Sequence, residues 1–215
     1  MLVLGIDTSG PACDIALLEG GTLLYEIREE MVRGQDARLP GLVTQTVEAG
    51  GKTLDVIDRI GVVTGPGSFT GVRVGISFAR GLALALDVPC IGVTSLEAAL
   101  PSGQQGSAII LLPAKRRPPE ISYWAQRFRT GAAVAEPEEI ALDALVNELR
   151  AHPHMVYGTG LEALAAELPE QEVHSARPAA RHAARVTEDT GTEAPRAQPV
   201  YVRAPDAALP GGKQP

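Results

Sequence analysis

Two hydrophobic periods alternate along the first half of the chain. Residues 2–6 are an unbroken run of apolar residues and glycine that ends at Asp7, the pattern of a buried strand entering a tight turn. Residues 14–18 and 22–29 read as two more strands, joined by a hairpin turn at Gly20-Gly21. Leu39, Leu42, Val43, Thr46 and Val47 then recur at helical spacing; Asp36 and Pro40 suit the first turn and Gly50-Gly51 stops the helix. Residues 60–64 are again a buried strand. The stretch Gly65-Pro66-Gly67-Ser68-Phe69-Thr70-Gly71 leads into an apolar helix over 71–86, and residues 89–93 return to strand. Ser95 is expected to cap a short helix over 96–100.

The second half is less regular. The polar stretch 101–107 is the expected boundary between a first lobe, 1–102, and a second, 103–205. Residues 108–112 and 121–128 read as strands around a basic, proline-rich hairpin. Residues 138–150 read as helix, 155–158 as strand, 161–168 as helix and 179–186 as helix. The chain after Thr190 is rich in Pro, Ala and Gly, and 206–215 is expected to be a disordered tail. Hairpin strands followed by alternating helices and strands imply an α/β fold with mixed sheets covered by helices.

Composition narrows the function. The chain has 215 residues, 45% hydrophobic and 21% charged, ordinary for a soluble globular protein, with a net charge of −7. An acidic chain gains nothing from attraction to a phosphate backbone, so RNA would have to be gripped mostly by a partner. Cys13 and Cys90 lie in apolar stretches and read as buried, reduced thiols. The first residues lack the basic start of a signal peptide. Arg, Asp or Gly interrupts each long apolar run, so no membrane span is expected. The expected location is the cytoplasm.

Two stretches carry candidate chemistry. Asp7, Thr8 and Ser9 place a carboxylate and two hydroxyls on one turn. Such a turn can hold a hydrated metal and a phosphate, or can simply bond its own backbone. Gly67, Ser68 and Thr70 lie between a strand and a helix, where backbone N–H groups can meet an anion; Ser68 or Thr70 can equally be a helix cap. Neither a Walker A lysine nor a GxGxxG spacing follows. The helix after this loop carries small residues at every fourth position, Gly71, Gly75, Ala79 and Ala83, flanked by Val72 and Ile76. Such a stripe lets another helix approach closely, from the same chain or from a partner. Lys115, Arg116 and Arg117, and the helical stripe Arg177, Arg181 and Arg185, are either solvated faces or contacts to RNA phosphates.

With the strings Gly5-Ile6-Asp7-Thr8-Ser9, Cys13-Asp14-Ile15-Ala16-Leu17, Leu39-Pro40 and, over 65–75, GPGSFTGVRVG, the chain resembles the TsaB (YeaZ-like) family. The resemblance is tight to about Ser95. It continues more loosely through Ile91–Leu96, Tyr123-Trp124-Ala125, Gly158-Thr159-Gly160 and a closing strand over 199–203. It implies a two-lobed actin/Hsp70/sugar-kinase-like (RNase H-like) fold with a reduced second lobe. It also implies a cytoplasmic, non-catalytic subunit, without a cofactor of its own, that supports threonylcarbamoyl modification of adenosine in tRNA. Its expected partners are a TsaD-like catalytic subunit and a TsaE-like ATPase. The isolated chain is expected to form a homodimer, and tRNA to be met only through the complex. The family's partner-binding helices map to 36–49 and 71–86, giving Leu39, Leu42, Val43, Thr46, Gly71, Val72, Gly75, Ile76, Ala79 and Ala83 as the expected interface. Asp7, Thr8, Ser9, Gly67, Ser68 and Thr70 become a vestigial phosphate site. The paired histidines of the catalytic relatives are missing from this region: His152, His154, His174 and His182 all come later. Two other readings remain: an active ATP-dependent phosphotransferase of the same superfold, and a peptidase, for which neither HExxH nor G-x-S-x-G is present.

Overall fold

The computed structural model describes residues 1–117, 119–190, 197–200 and 202, the side chains of 116 and 117 excepted. Its first five-stranded sheet is built from β1 (Leu2–Asp7), β2 (Ala12–Glu19), β3 (Thr22–Glu30), β4 (Arg59–Val63) and β5 (Cys90–Val93). The strand order is β3-β2-β1-β4-β5, antiparallel through the hairpins and parallel from β1 to β4 and β5. Parallel neighbours need crossovers, and two helices supply them: α1 (Gln35–Ala49) and α2 (Phe69–Leu86). Central β1 is buried along its whole length, which accounts for its unalternating sequence.

The second sheet repeats this plan. Its strands are β6 (Ser107–Arg117), β7 (Glu120–Arg129), β8 (Ala132–Ala133), β9 (Glu138–Ala141), β10 (Met155–Gly158) and β11 (Val173–Ser175). They run in the order β11-β10-β6-β7-β8, with β9 also pairing β7. A hairpin, a split third strand, α3 (Leu142–Ala151), a parallel strand, α4 (Glu162–Glu167) and a second parallel strand follow each other as in the first lobe. The helices are shorter, which makes this the reduced lobe. No sequence repeat announces the duplicated topology.

Three local expectations are corrected. Residues 138–150 are not one helix: Glu138–Ala141 pairs antiparallel with β7, Ile140 facing Tyr123, before α3 begins. Ser95 does not cap the short turn Glu97–Ala99. Thr94 does, its hydroxyl accepting from the Glu97 N–H at 3.0 Å while the Glu97 carboxylate accepts from the Thr94 N–H at 2.8 Å. The helix after the glycine-rich loop begins at Phe69, with Ser68 as its N-cap.

The last helix, α5 (Ala180–Asp189), returns to the first lobe and covers the sheet face opposite α1 and α2. α5, Ala197 and Val200 therefore pack with the first lobe, not with the second, where the division at 103–205 places them. Ala197 joins the first core and the Val200 N–H donates to the Thr64 carbonyl at 2.8 Å. Two glycines admit α5: a Cβ on Gly5 would lie 2.1 Å from the Ala180 carbonyl, and one on Gly61 2.1 Å from the Thr187 hydroxyl. The expected tail at 206–215, and residues 201 and 203 of the expected closing strand, lie outside the described residues.

Candidate functional site

A cleft of about 640 Å³ opens between the lobes. On its first-lobe wall are Asp7, Ser9, Gly67 and Ser68, brought there by the end of β1 and the loop entering α2. Leu112, Pro113, Trp124 and Thr159 of the second lobe face them, and Arg28 and Arg177 close the floor. Thr8 is buried beneath the cleft, and Thr70 is exposed outside it. Four of the six expected phosphate-site residues thus share a wall.

Their polar groups are already engaged within the chain. The Ser9 N–H donates to the Asp7 carboxylate at 2.8 Å, the Thr8 hydroxyl to the Gly71 carbonyl at 2.7 Å, and the Ser95 hydroxyl to Ser9 Oγ at 3.3 Å. The Ser68 N–H, which an anion site would aim outward, donates to the Ser9 carbonyl at 2.7 Å. Ser68 Oγ accepts the Gly71 N–H at 3.2 Å. The glycines of the loop serve close approach: a Cβ on Gly67 would sit 2.5 Å from the Ser9 carbonyl oxygen, and on Gly71 2.0 Å from that of Thr8. The loop is pinned onto the β1 turn. Burial holds Asp7 above the usual carboxylate range. Among the described residues, no three His, Cys, Asp or Glu side chains converge as a metal would need.

The ten expected interface residues tell against the face chosen for them. Leu39, Leu42, Val43, Thr46, Gly71, Val72, Gly75, Ile76, Ala79 and Ala83 are all buried inside the chain. The small-residue stripe faces inward, where a Cβ on Gly75 would meet the Thr8 hydroxyl at 2.4 Å. What α1 and α2 present outward is a different set. On α1 it is Pro40, Gly41, Thr44, Gln45 and Glu48; on α2, Phe69 under the Arg73 guanidinium at 3.8 Å, then Ser77, Arg80, Gly81 and Leu84. Leu84 is 84% exposed and borders a groove of about 660 Å³ with Arg80, Val88 and Cys90. By length and composition alone α2 could span a bilayer, yet its buried side packs on α1, β1 and β4.

The arginines expected to form one helical stripe are also committed, and Arg177 lies outside the helix, before α5 begins. Arg177 reaches Asp14 at 3.3 Å, Arg181 reaches Glu26 at 2.8 Å, and Arg185 donates to the Gly21 carbonyl at 2.8 Å. These bonds fasten α5 to the β2–β3 hairpin, so the stripe is not a row of waiting phosphate contacts. Lys115 pairs with Glu120, and Arg127 with Glu138 and Glu148; the side chains of Arg116 and Arg117 lie outside the described residues. Cys13 and Cys90 are free thiols, each pushed up to about 11 by burial.

Sequence reasoning missed Arg28, Trp124 and Arg177 as cleft residues. Each lies in a different element, far apart in the chain, and no local spacing links them.

The family model described as "TsaD: tRNA N6-adenosine threonylcarbamoyltransferase" matches residues 29–136. The tRNA threonylcarbamoyladenosine biosynthesis protein TsaB of Escherichia coli K12 is 35% identical over 141 residues, 65% of this chain and 60% of that protein. The chain thus spans about three fifths of that relative. A Pseudomonas aeruginosa structure, described as an uncharacterized protein with similarity to peptidase YEAZ, superposes with a TM-score of 0.74 at 26% identity. It covers 94% of this chain and 99% of its own. The ROK hexokinase of Thermus thermophilus, 14% identical with a TM-score of 0.52 over 86% of this chain and 96% of its own, shares the fold.

Proposed function

We infer the function from one premise: the chain belongs to the TsaD family, on its TsaB/YeaZ side, within the actin-like superfold. It is a non-catalytic subunit of the machinery that makes threonylcarbamoyladenosine in tRNA. It docks onto a TsaD-like catalytic subunit in the cytoplasm, works with a TsaE-like ATPase and meets tRNA only within the complex. The observation that carries the non-catalytic reading is the bond from the Ser68 N–H to the Ser9 carbonyl. It turns the phosphate loop inward, and the hydroxyls around it are bonded within the chain as well. Phosphoryl transfer depends on positioned donors around the transferred group, and here those donors hold the fold instead. The net charge of −7 and the intramolecular pairing of Arg177 and Arg181 favour tRNA contact through a partner.

The docking face is the outward side of α1 and α2, around Leu84 and Phe69. The test is size exclusion with light scattering after mixing with the matching TsaD-like subunit. Wild type forms a complex, and a folded Leu84→Arg variant does not. The buried stripe is the wrong place for this test, because an arginine at Gly75 would collide with Thr8 and unfold the lobe. If wild type forms no complex even with nucleotide present, the docking reading falls. Mg²⁺-dependent ATP turnover by the isolated chain would replace the whole reading with the phosphotransferase.

A further inference from the structure

Among the described residues the chain crosses between its lobes twice, once near residues 100–107 and once between β11 and α5. The second crossing is anchored on both sides within four residues. The Ala176 N–H donates to the Gly158 carbonyl of the second lobe at 3.0 Å, and the Ala179 N–H to the Ala98 carbonyl of the first at 3.1 Å. Arg177 sits between these anchors. Its guanidinium enters the cleft floor and reaches Asp14 Oδ2 at 3.3 Å, the same oxygen that Arg28 of β3 reaches at 3.3 Å.

We propose that the Arg28–Asp14–Arg177 bridge is an interlobe latch: it straps the returning connection to the first-lobe hairpin and fixes the width of the cleft. The Asp14 side chain is 1% exposed, and its second oxygen is buried without a partner. Such a group is poor support for stability alone, since removing a carboxylate from water carries a cost that its partners must offset. Asp7 and Glu26 bring further negative charge to it, whereas Arg181 is drawn to Glu26. The bridge is therefore placed where geometry, not energy, is at stake. A latched cleft holds the second lobe at a fixed separation from the sheet that carries α1 and α2. The inference does not depend on which partner docks there.

Native-state hydrogen exchange followed by mass spectrometry tests the latch through the Ala176 and Ala179 amides, which report the crossing directly. The variants are Asp14→Asn and Arg177→Gln; Arg177 is 45% exposed, so its loss leaves the core intact if Asp14→Asn fails to fold. Each folded variant is expected to speed exchange in the peptide covering residues 176–179 by about tenfold, the factor that about 1.4 kcal/mol corresponds to. Exchange in β1 and β4 stays at the wild-type rate. The double variant adds little to either single one. Trp124, the chain's single tryptophan, faces the same cleft and becomes more accessible to acrylamide in step. Unchanged exchange at 176–179 in Arg177→Gln overturns the latch, and so does uniform acceleration over the whole chain, which marks general destabilisation.

Discussion

At the scale of the residue, Asp14 shows how a side chain's surroundings decide its chemistry. Burial pushes its carboxyl up to about 6, with Asp7 and Glu26 adding to the effect and Arg28 and Arg177 opposing it. The folded chain therefore binds this proton more tightly than the unfolded chain does. The stability gained is fully present below the ordinary carboxylate range and is lost as the pH rises through about 6. Asp7 is shifted in the same direction, also by burial. His182, buried against the Ala98 carbonyl, is held below the usual imidazole range and acts in the opposite sense, losing its contribution as the pH falls. The readout is therefore the difference between two proteins. Relative to wild type, Asp14→Asn gains on the order of 2 kcal/mol between about pH 4.5 and about pH 7. Urea unfolding at the two values measures it. A difference that stays flat with pH means that Asp14 titrates normally, and the account of its surroundings is wrong.

At the scale of the element, α2 carries two glycines with opposite effects. Gly71 lies where the helix enters against the Thr8 carbonyl, so Gly71→Ala forces the helix off the β1 turn and costs about 1–3 kcal/mol. Gly81 faces open space on the outward side, and Gly81→Ala stabilises by up to about 1 kcal/mol. Equal effects of the two changes on the urea midpoint would contradict this orientation of the helix. The same pair shows what the sequence could and could not say. Spacing identified the small-residue stripe and the apolar helix, because both are periodic. It did not identify which neighbour filled the stripe, because Thr8 comes from the turn after β1 and Val62 from β4, and neither leaves a helical mark. Hydrophobic runs located β1, β4 and α1 to within a few residues. The split of residues 138–150 into β9 and α3 escaped, since Glu138–Ala141 is short and its pairing with β7 is set by a distant element. Of the cleft, the Asp7 turn and the glycine loop were legible as motifs. The inward turn of the Ser68 N–H was not, because its acceptor, the Ser9 carbonyl, is a backbone atom of a kind that every residue carries.

At the scale of the whole molecule, the chain pairs two sheets of like connectivity but gives only the first a full set of covering helices. The first lobe is closed on one face by α5 and on the other by α1 and α2, whose outer side is exposed among the described residues. Leu84 and Phe69 then stand exposed, together with the groove along the end of α2. Apolar surface of this kind is unfavourable in water and is relieved by association. A second copy can cover it through a two-fold contact, because the same face then meets itself and the assembly closes at two chains. The expectation is a homodimer that forms with rising concentration and yields to the TsaD-like subunit when that is added, because both compete for one face. Sedimentation of the isolated chain across a concentration series should show the dimer, and Leu84→Arg should shift it towards monomer while also weakening the heterocomplex. If the variant loses the heterocomplex but keeps the dimer, the copies meet through another surface, and competition between the two assemblies is no longer required. If wild type stays monomeric throughout yet still binds its partner, the exposed face belongs to the heterocomplex alone.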